Sequence, residues 1–371
     1  MRGATALAAC LITAACVTPE TTATTCADAR LEQPLLVLAS DLRTTSGLGR
    51  LDAEGCLTEV AGGLALSGDT WIATSAGRAF VLDRAEGLVH RIDPESLQIV
   101  ETLRAYEAGE ARANPQDVAV DAAGRVWATR FDRPVILVLG EGGAILRRVD
   151  LTPFADADGN PEAAAITLLD GVAYAALEML DAEAEGAIYP PAGPGQVLAI
   201  PGDPAAPLRT ITLAGRNPFG RFAAAPWDGR LLAIATPGDF GAITPGDGID
   251  LVDTVAGMAR RIISEEALAG SATEVALAGP SEAYAIAAGT EPGVNPTRVV
   301  AFDPGTGQVT RVLAEAAGFY HWGLVVTGDH VVVGDRTPGR ARIVFFDRRT
   351  GAEVAAIPAQ RLAPVSIVPA P

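Results

Sequence analysis

Lysine is missing from this 371-residue chain, and all 28 basic residues are arginine. Set against 45 acidic residues, they leave a formal net charge of −17. A surface of that sign repels nucleic acid and anionic lipid headgroups, and no basic patch, helix-turn-helix or base-stacking motif argues otherwise. Histidine is nearly missing too, with three residues and no His-x-x-x-His or His-Glu pair to hold zinc. No Gly-x-Ser-x-Gly elbow offers a serine nucleophile, and there is no glycine-rich phosphate loop. Nor does any long stretch carry the 3.6-residue apolar period of an amphipathic helix; "SEEALAG" (264–270) allows one helical turn. Nucleic-acid binding, zinc and serine hydrolysis and helical-bundle folds are set aside on these grounds.

Apolar residues make up 49% of the chain and charged residues 20%, the balance of a globular protein with a large core. Forty glycines and 26 prolines indicate many turns. The amino terminus has one positive charge, Arg2, then a small-apolar run to Cys16, the pattern of a secretory signal too short to span a bilayer permanently. Thr13-Ala14-Ala15-Cys16 resembles the bacterial lipobox, where a signal peptidase cuts before a lipid-modified cysteine. Cutting instead before Cys10 would leave almost no apolar segment upstream. The expected organisation is a lipoprotein signal peptide at 1–15, a lipid-anchored tether at 16–30 and a single domain at 31–371. A plain secreted chain cut at an alanine site is the alternative. Val17 stands where aspartate would retain a lipoprotein in the inner membrane, so the outer membrane is the expected destination. With Cys16 lipidated, Cys26 and Cys56 remain to form one disulfide in an oxidising envelope compartment.

"TWIATSAGRAFVLDRAEG" (70–87) and "QDVAVDAAGRVWATRFDRP" (116–134) are near copies: strand, tight "AGR" turn, strand, polar break. Relatives of the second strand recur at 35–41, 79–84, 125–130, 171–177, 230–236, 282–288 and 329–335, seven in all. Each is followed by a third short strand, and fourth strands such as "QIVETLRA" and "AEVAAIPA" close the units. Four-stranded units at this spacing predict an all-β fold, a seven-bladed β-propeller, with an eight-bladed or sandwich arrangement as the alternative. The first unit lacks an opening strand, while "LAPVSIVPA" (362–370) follows the last complete unit. The carboxy-terminal strand is therefore expected to complete the first blade in a three-plus-one closure.

"NPQDVAVDAAGRVWATRF" (114–131) and "RVVAFDPGTGQVTRVL" (298–313) resemble the YVTN-type and lactonase-like repeats of bacterial propellers. With its lipobox, the chain is similar to propeller lipoproteins of myxobacteria-like organisms. The resemblance covers about 30–371 and implies the fold. Such propellers include binding proteins, lyases, lactonases and scaffolds, so the function must be argued from the site.

Antiparallel parity puts the loops leading into first strands on one face, together with those joining second to third strands. The long loops 152–162, 178–195, 237–247 and 289–296 all fall there, and loops of such excess length usually carry function. The same face receives the polar residues that begin the inner strands: Asn114, Gln116, Asp117, Glu162, Asn217, Glu274 and His321, with Trp322 beside the last. They form the candidate ligand-binding set around the channel mouth. Carboxylates and amides converging from separate blades suit Ca²⁺ or a polar small molecule, or simply cap strand starts and hydrate the channel. The resemblance to lactonase-like propellers implies a metal ring of Glu162, Asn217 and Glu274. The lyase-like members use His and Glu near the last blades, to which only His321, with Glu274 as a distant companion, corresponds. In "DADGN", Asp156, Asp158 and Asn160 alternate as calcium ligands do, though the loop lacks the remaining EF-hand ligands and such Asx turns form without metal. The other three tryptophans are read as packing between blades, and no catalytic residue is assigned. The expected function is a non-enzymatic binding module for an envelope protein, glycan or small molecule, monomeric and touching the membrane only through its lipid. A metal-dependent lactonase-like hydrolase on the Glu/Asn ring is the alternative.

Overall fold

The computed structural model describes residues 20–21, 24–61, 64–110, 113–184, 189–240, 242–289 and 296–371; Cys16 and the signal segment lie outside the described residues. Seven antiparallel sheets follow one another along the chain as the blades of a propeller. Blade 2 shows the plan, with strands Thr70–Ser75, Arg78–Asp83, Leu88–Ile92 and Ile99–Arg104 paired in sequence order from the channel outward. Second strands such as Arg78–Asp83 are almost wholly buried because a neighbouring blade covers each face, so they read as continuous apolar runs. Fourth strands such as Ile99–Arg104 and Ile145–Asp150 alternate buried and exposed residues, as outer strands do.

The core is divided accordingly. Seven apolar clusters lie one at each junction between blades. Phe80 and Leu82 of blade 2, for example, pack with Val118 and Leu137 of blade 3. The ring closes as its strand count requires: Pro364–Pro369 pairs antiparallel with Leu35–Ser40 as the innermost strand of blade 1, and Val365, Ile367 and Val368 are buried there. Prolines at both ends of this strand lack only N–H groups that an innermost strand leaves free of ladder partners on its channel side.

The stretch expected as a tether is partly built into the disc. Thr25–Cys26 and Glu20–Thr21 pair with the outermost strand of blade 1, Cys56–Ala61, and a disulfide joins Cys26 to Cys56. An unpaired outer strand offers a row of free backbone groups, and this segment satisfies them.

Inner strands all begin on one face of the disc, here the loop face. Near it the ladders of four inner strands slip: between Ala163 and Ile166, Phe219 and Ala223, Ala272 and Glu274, and Trp322 and Leu324. Such bulges break the two-residue alternation and re-aim side chains.

Candidate functional site at the channel mouth

The central channel holds a void of about 350 Å³ lined by Trp71, Asp117, Arg221, Glu274 and Ser366 among others. Arg221 owes its place to the bulge in blade 5, where Gly220 takes a positive φ of 80°. Its guanidinium lies 5.1 Å from the Trp71 ring centre and donates to Ser366 Oγ at 3.2 Å, while its Nε is buried without a partner. Two carboxylates flank it. Asp117 is buried and accepts the Val118 and Ile166 N–H groups at 2.9 and 3.0 Å; burial pushes its pKa up to about 6, opposed by the Arg221 charge. Glu274 accepts the Gly323 and Leu324 N–H groups at 2.7 and 2.8 Å, and its pKa is likewise raised by burial and opposed by Arg221.

Above the channel, Trp71 and Glu274 also line a second cavity of about 110 Å³. Its walls are aromatic: Trp71, Phe219, Phe240, Phe319 and Trp322, with Thr273, Thr297 and His321 as further polar neighbours. Phe219 and Phe240 meet edge to face at 5.3 Å. The Trp322 indole donates to the Phe319 carbonyl at 2.9 Å, and the Arg336 guanidinium covers its ring at 5.0 Å. His321 is buried with Nδ1 unpartnered; burial pushes its pKa down against the pull of Asp335, which keeps the ring neutral at pH 7. The cavity is thus an apolar box with one imidazole and one carboxyl group, and guanidinium groups lie against both of its indoles.

Of the residues chosen from sequence, Glu274, His321 and Trp322 meet in this cavity, so His321 and Glu274 are closer companions than their chain separation suggests. Asp117 lines the channel below. The others are occupied elsewhere. Asn114 donates to Asp132 at 3.3 Å and receives Gln116 at 2.7 Å; Gln116 in turn accepts from Arg84 at 2.9 Å. The Asn217 amide donates to the Gly238 carbonyl at 2.9 Å. Asn114, Glu162 and Asn217 all sit at positive φ (51°, 45° and 54°) in the loops that lead into inner strands. Asparagine tolerates that backbone well, which accounts for two of these positions without any ligand.

The residues of the implied metal ring have different immediate neighbours, and Glu162 Oε1 and Asn217 Oδ1 are buried without a partner. Glu162 accepts the Leu180 N–H at 2.9 Å and keeps company with Asp156, Asp158 and Glu178, whereas Glu274 ties blade 6 to blade 7 and faces Arg221 of blade 5. Among the described residues no group of three His, Cys, Asp or Glu is placed to hold a metal ion. In the "DADGN" turn, Asp158 accepts backbone N–H groups from Asn160 and Ala182, and Asp156 accepts that of Asp158. Asn160 turns its amide NH₂ to the Phe131 carbonyl at 2.7 Å. These contacts organise a loop, while Asp156 Oδ2 and Asn160 Oδ1 are buried without a partner.

Sequence reasoning missed Arg221, Phe219, Phe240 and Phe319, and took Trp71 for packing. Trp71 does pack against the cluster between blades 2 and 3 and also lines both cavities, whereas Trp127 is buried with its indole on Asp121 and Trp227 is exposed on the opposite face. One signal was available for Phe240, a lone aromatic in one of the overlong loops. Arg221 had none, because the bulge that aims it inward leaves no mark in the apolar alternation.

No protein-family model matches the chain, and no curated protein sequence matches it. Solved structures do. The periplasmic gluconolactonase of Pseudomonas aeruginosa superposes with a TM-score of 0.61 at 14% identity over 91% of this chain and 98% of its own. A putative 6-phosphogluconolactonase from Bacteroides fragilis gives 0.59 at 13% identity over 91% and 97%. A virginiamycin B lyase from Staphylococcus aureus, solved as a catalytically inactive variant with quinupristin, gives 0.51 at 12% over 92% and 100%. The likeness is one of fold. At these identities the seven-bladed propeller is shared, while the chemistry must come from each chain's own residues.

Proposed function

We propose that this chain is an envelope protein that binds a small ring-bearing molecule, or the ring of a larger ligand, in the aromatic cavity at the channel mouth, without chemical turnover. The observation that carries this reading is the convergence of Trp71, Phe219, Phe240, Phe319 and Trp322 from the inner strands and loop face onto one cavity. Stacked guanidinium groups on Trp71 and Trp322 make both indoles poorer partners for a cation. An uncharged ring therefore suits the box better, oriented by one hydrogen bond to Glu274 or His321. The lipobox at Cys16 and the YVTN-like repeats support an exported lipoprotein of the outer membrane, acting as a monomer and not as a nucleic-acid binder.

The test is a thermal-shift and tryptophan-fluorescence screen of uncharged aromatic and cyclic compounds against the full chain and its Trp322→Ala variant. Binding that the variant loses at least about tenfold, a loss of about 1.4 kcal/mol, supports the reading. Hits that bind the variant equally well place the site elsewhere.

A hydrolase reading draws on the lactonase-like fold. For the Glu162, Asn217 and Glu274 set, Glu162 Oε1 and Asn217 Oδ1 are buried without a partner, but Glu274 spends both carboxyl oxygens on the Gly323 and Leu324 N–H groups. The observation that favours any turnover is the shared cavity of His321 and Glu274, a neutral imidazole and a raised carboxyl. Product formed from a bound hit, and abolished by His321→Ala, would establish it.

A further inference from the structure

The amino-terminal segment fixes which face of the disc looks at its anchor. Pairing of Thr25 with Leu57 and Cys26 with Cys56, and of Glu20 with Ala61 and Thr21 with Val60, makes the segment run antiparallel to the outermost strand of blade 1. That strand ascends from the hairpin face at Cys56 to the loop face at Ala61, because it is the fourth of its blade. The chain therefore enters at the loop-face rim and descends to the hairpin face, where the disulfide pins it. Cys16 lies four residues before Glu20, a distance of at most about 14 Å even for a fully extended chain. A six-residue strand such as Cys56–Ala61 is about 20 Å long. The tether is thus too short to carry the anchor round to the hairpin face without stripping the paired segment from blade 1.

The tip of blade 1 on the same rim has a shape suited to a lipid surface. Ser40 Oγ accepts the Leu42 N–H at 2.8 Å, and the Asp41 carboxylate accepts those of Arg43, Thr44 and Thr45 at 2.9, 2.8 and 3.0 Å. This turn holds Leu42 at a φ of 58°, 41% exposed, with Arg43 exposed beside it. A leucine in the left-handed region, with about two-fifths of its surface open to solvent, leaves apolar area uncovered by the fold. It can gain from an apolar boundary, with the arginine at headgroup level. Phe319 and Tyr189, each 42% exposed, lie on the loops of the same face.

We propose that the loop face, with its aromatic cavity, is apposed to the bilayer that holds Cys16, and that the Leu42–Arg43 tip rests on that surface. The proposal rests on the lipid anchor of the preceding reading. The cavity then opens into the narrow gap between disc and membrane, where it meets molecules leaving the bilayer surface first. The net charge of −17 makes an uncharged lipid surface the better partner.

Two readouts keep the anchor and the orientation apart. The mass of the amino-terminal peptide, from full chain isolated out of bacterial membranes, reports acylation of Cys16. Orientation is read on that acylated protein in phosphatidylcholine vesicles carrying a nitroxide headgroup. Single fluorophores are placed at Glu183→Cys or Ala205→Cys, exposed positions on opposite faces of blade 4, with the native disulfide intact. The label at 183 should lose most of its emission and the label at 205 little. Equal quenching, as an edge-on disc gives, or stronger quenching at 205 overturns the orientation while leaving the anchor standing. A peptide without acyl groups overturns the anchor, and the orientation falls with it.

Discussion

Replacing Glu162 by glutamine tests the electrostatics of the loop face at its most loaded point. Glu162 is 1% exposed, holds a φ of 45° and has one carboxyl oxygen, Oε1, with no partner. Burial, with the charges of Asp158 and Asp156 adding to it, pushes its pKa up to about 8 from an ordinary 4.5, although the Leu180 N–H opposes the rise. The folded protein therefore holds a proton that the unfolded chain releases above 4.5. The stability tied to this group is fully present below that pH and is lost as pH rises through about 8. The full interval corresponds to about 5 kcal/mol, and loop relaxation and water entry on ionisation bring the expected effect to about 2–3 kcal/mol.

Glutamine mimics the neutral acid, accepting from Leu180 and carrying no charge. At pH 5 the variant and the natural chain should unfold within about 1 kcal/mol of each other, whereas at pH 9 the variant should be the more stable by about 2–3 kcal/mol. Urea unfolding followed by tryptophan fluorescence at the two pH values provides the comparison. Asp117 and Glu265, with pKa values raised by burial to about 6 and about 7, also weaken the fold as pH rises, but both proteins retain them and the difference removes them. Glu178, raised by burial and by the Glu162 charge, titrates more easily once that charge is gone, which acts in the same direction. Parallel pH profiles for the two proteins would refute the argument, since Glu162 would then carry no burial penalty.

Glu274→Ala should lower stability by about 3–5 kcal/mol, because it strands the Gly323 and Leu324 N–H groups and leaves Arg221 with Asp117 alone; a melting temperature within error of the natural chain would contradict this. Deleting residues 362–371 removes Val365, Ile367 and Val368 from the closure, at about 1.5–3 kcal/mol each, a sum comparable to the whole stability of a typical domain. Insoluble protein is expected, and an unchanged melting temperature would show that the ring does not depend on this strand. The double change Cys26→Ser and Cys56→Ser opens a loop spanning 30 positions and should cost about 3–4 kcal/mol, with dithiothreitol bringing the natural chain down to the variant's unfolding midpoint.

The blades were legible because their second and third strands are buried on both faces and so appear as short continuous apolar runs, such as "AFVLD" and "VVAFD". The closure was legible by counting: one strand too few at the start and one too many at the end. Within the site, Glu274, His321 and Trp322 could be found because they stand at inner-strand starts, where position along the strand alone fixes the face. Arg221 could not, since Gly220 and the register slip around it aim the side chain against the alternation. Glu178 escaped because it follows a second strand, and no pattern in its own segment shows that its neighbours include Glu162 and Arg84. The docking of Glu20–Thr21 and Thr25–Cys26 was hidden for another reason: a Thr-rich stretch with no apolar period shows nothing of a strand whose partner is an outer edge.

The hydrogen bonds of the polar residues around the channel bear on what the mouth can recognise. Asp117, of blade 3, takes an N–H from Ile166 in blade 4, and Glu274, of blade 6, takes two from blade 7. Arg221, of blade 5, reaches Ser366 on the closing strand of blade 1. The first two join neighbouring blades beside the apolar clusters and further polar bonds such as Thr129 to Ala164 and Arg348 to Glu282, and the third spans the channel, so these groups help hold the ring in register around its axis. Carboxylate oxygens committed to backbone N–H groups have less capacity left for a cation or a sugar, and converting them to ligands would loosen the junctions they tie. The aromatic side chains carry no such duty on the faces they turn to the cavity. In the proposed reading, recognition at this mouth therefore falls to Trp71, Phe219, Phe240, Phe319 and Trp322, and the inter-blade bonds beneath them keep those rings at fixed spacing before any ligand arrives.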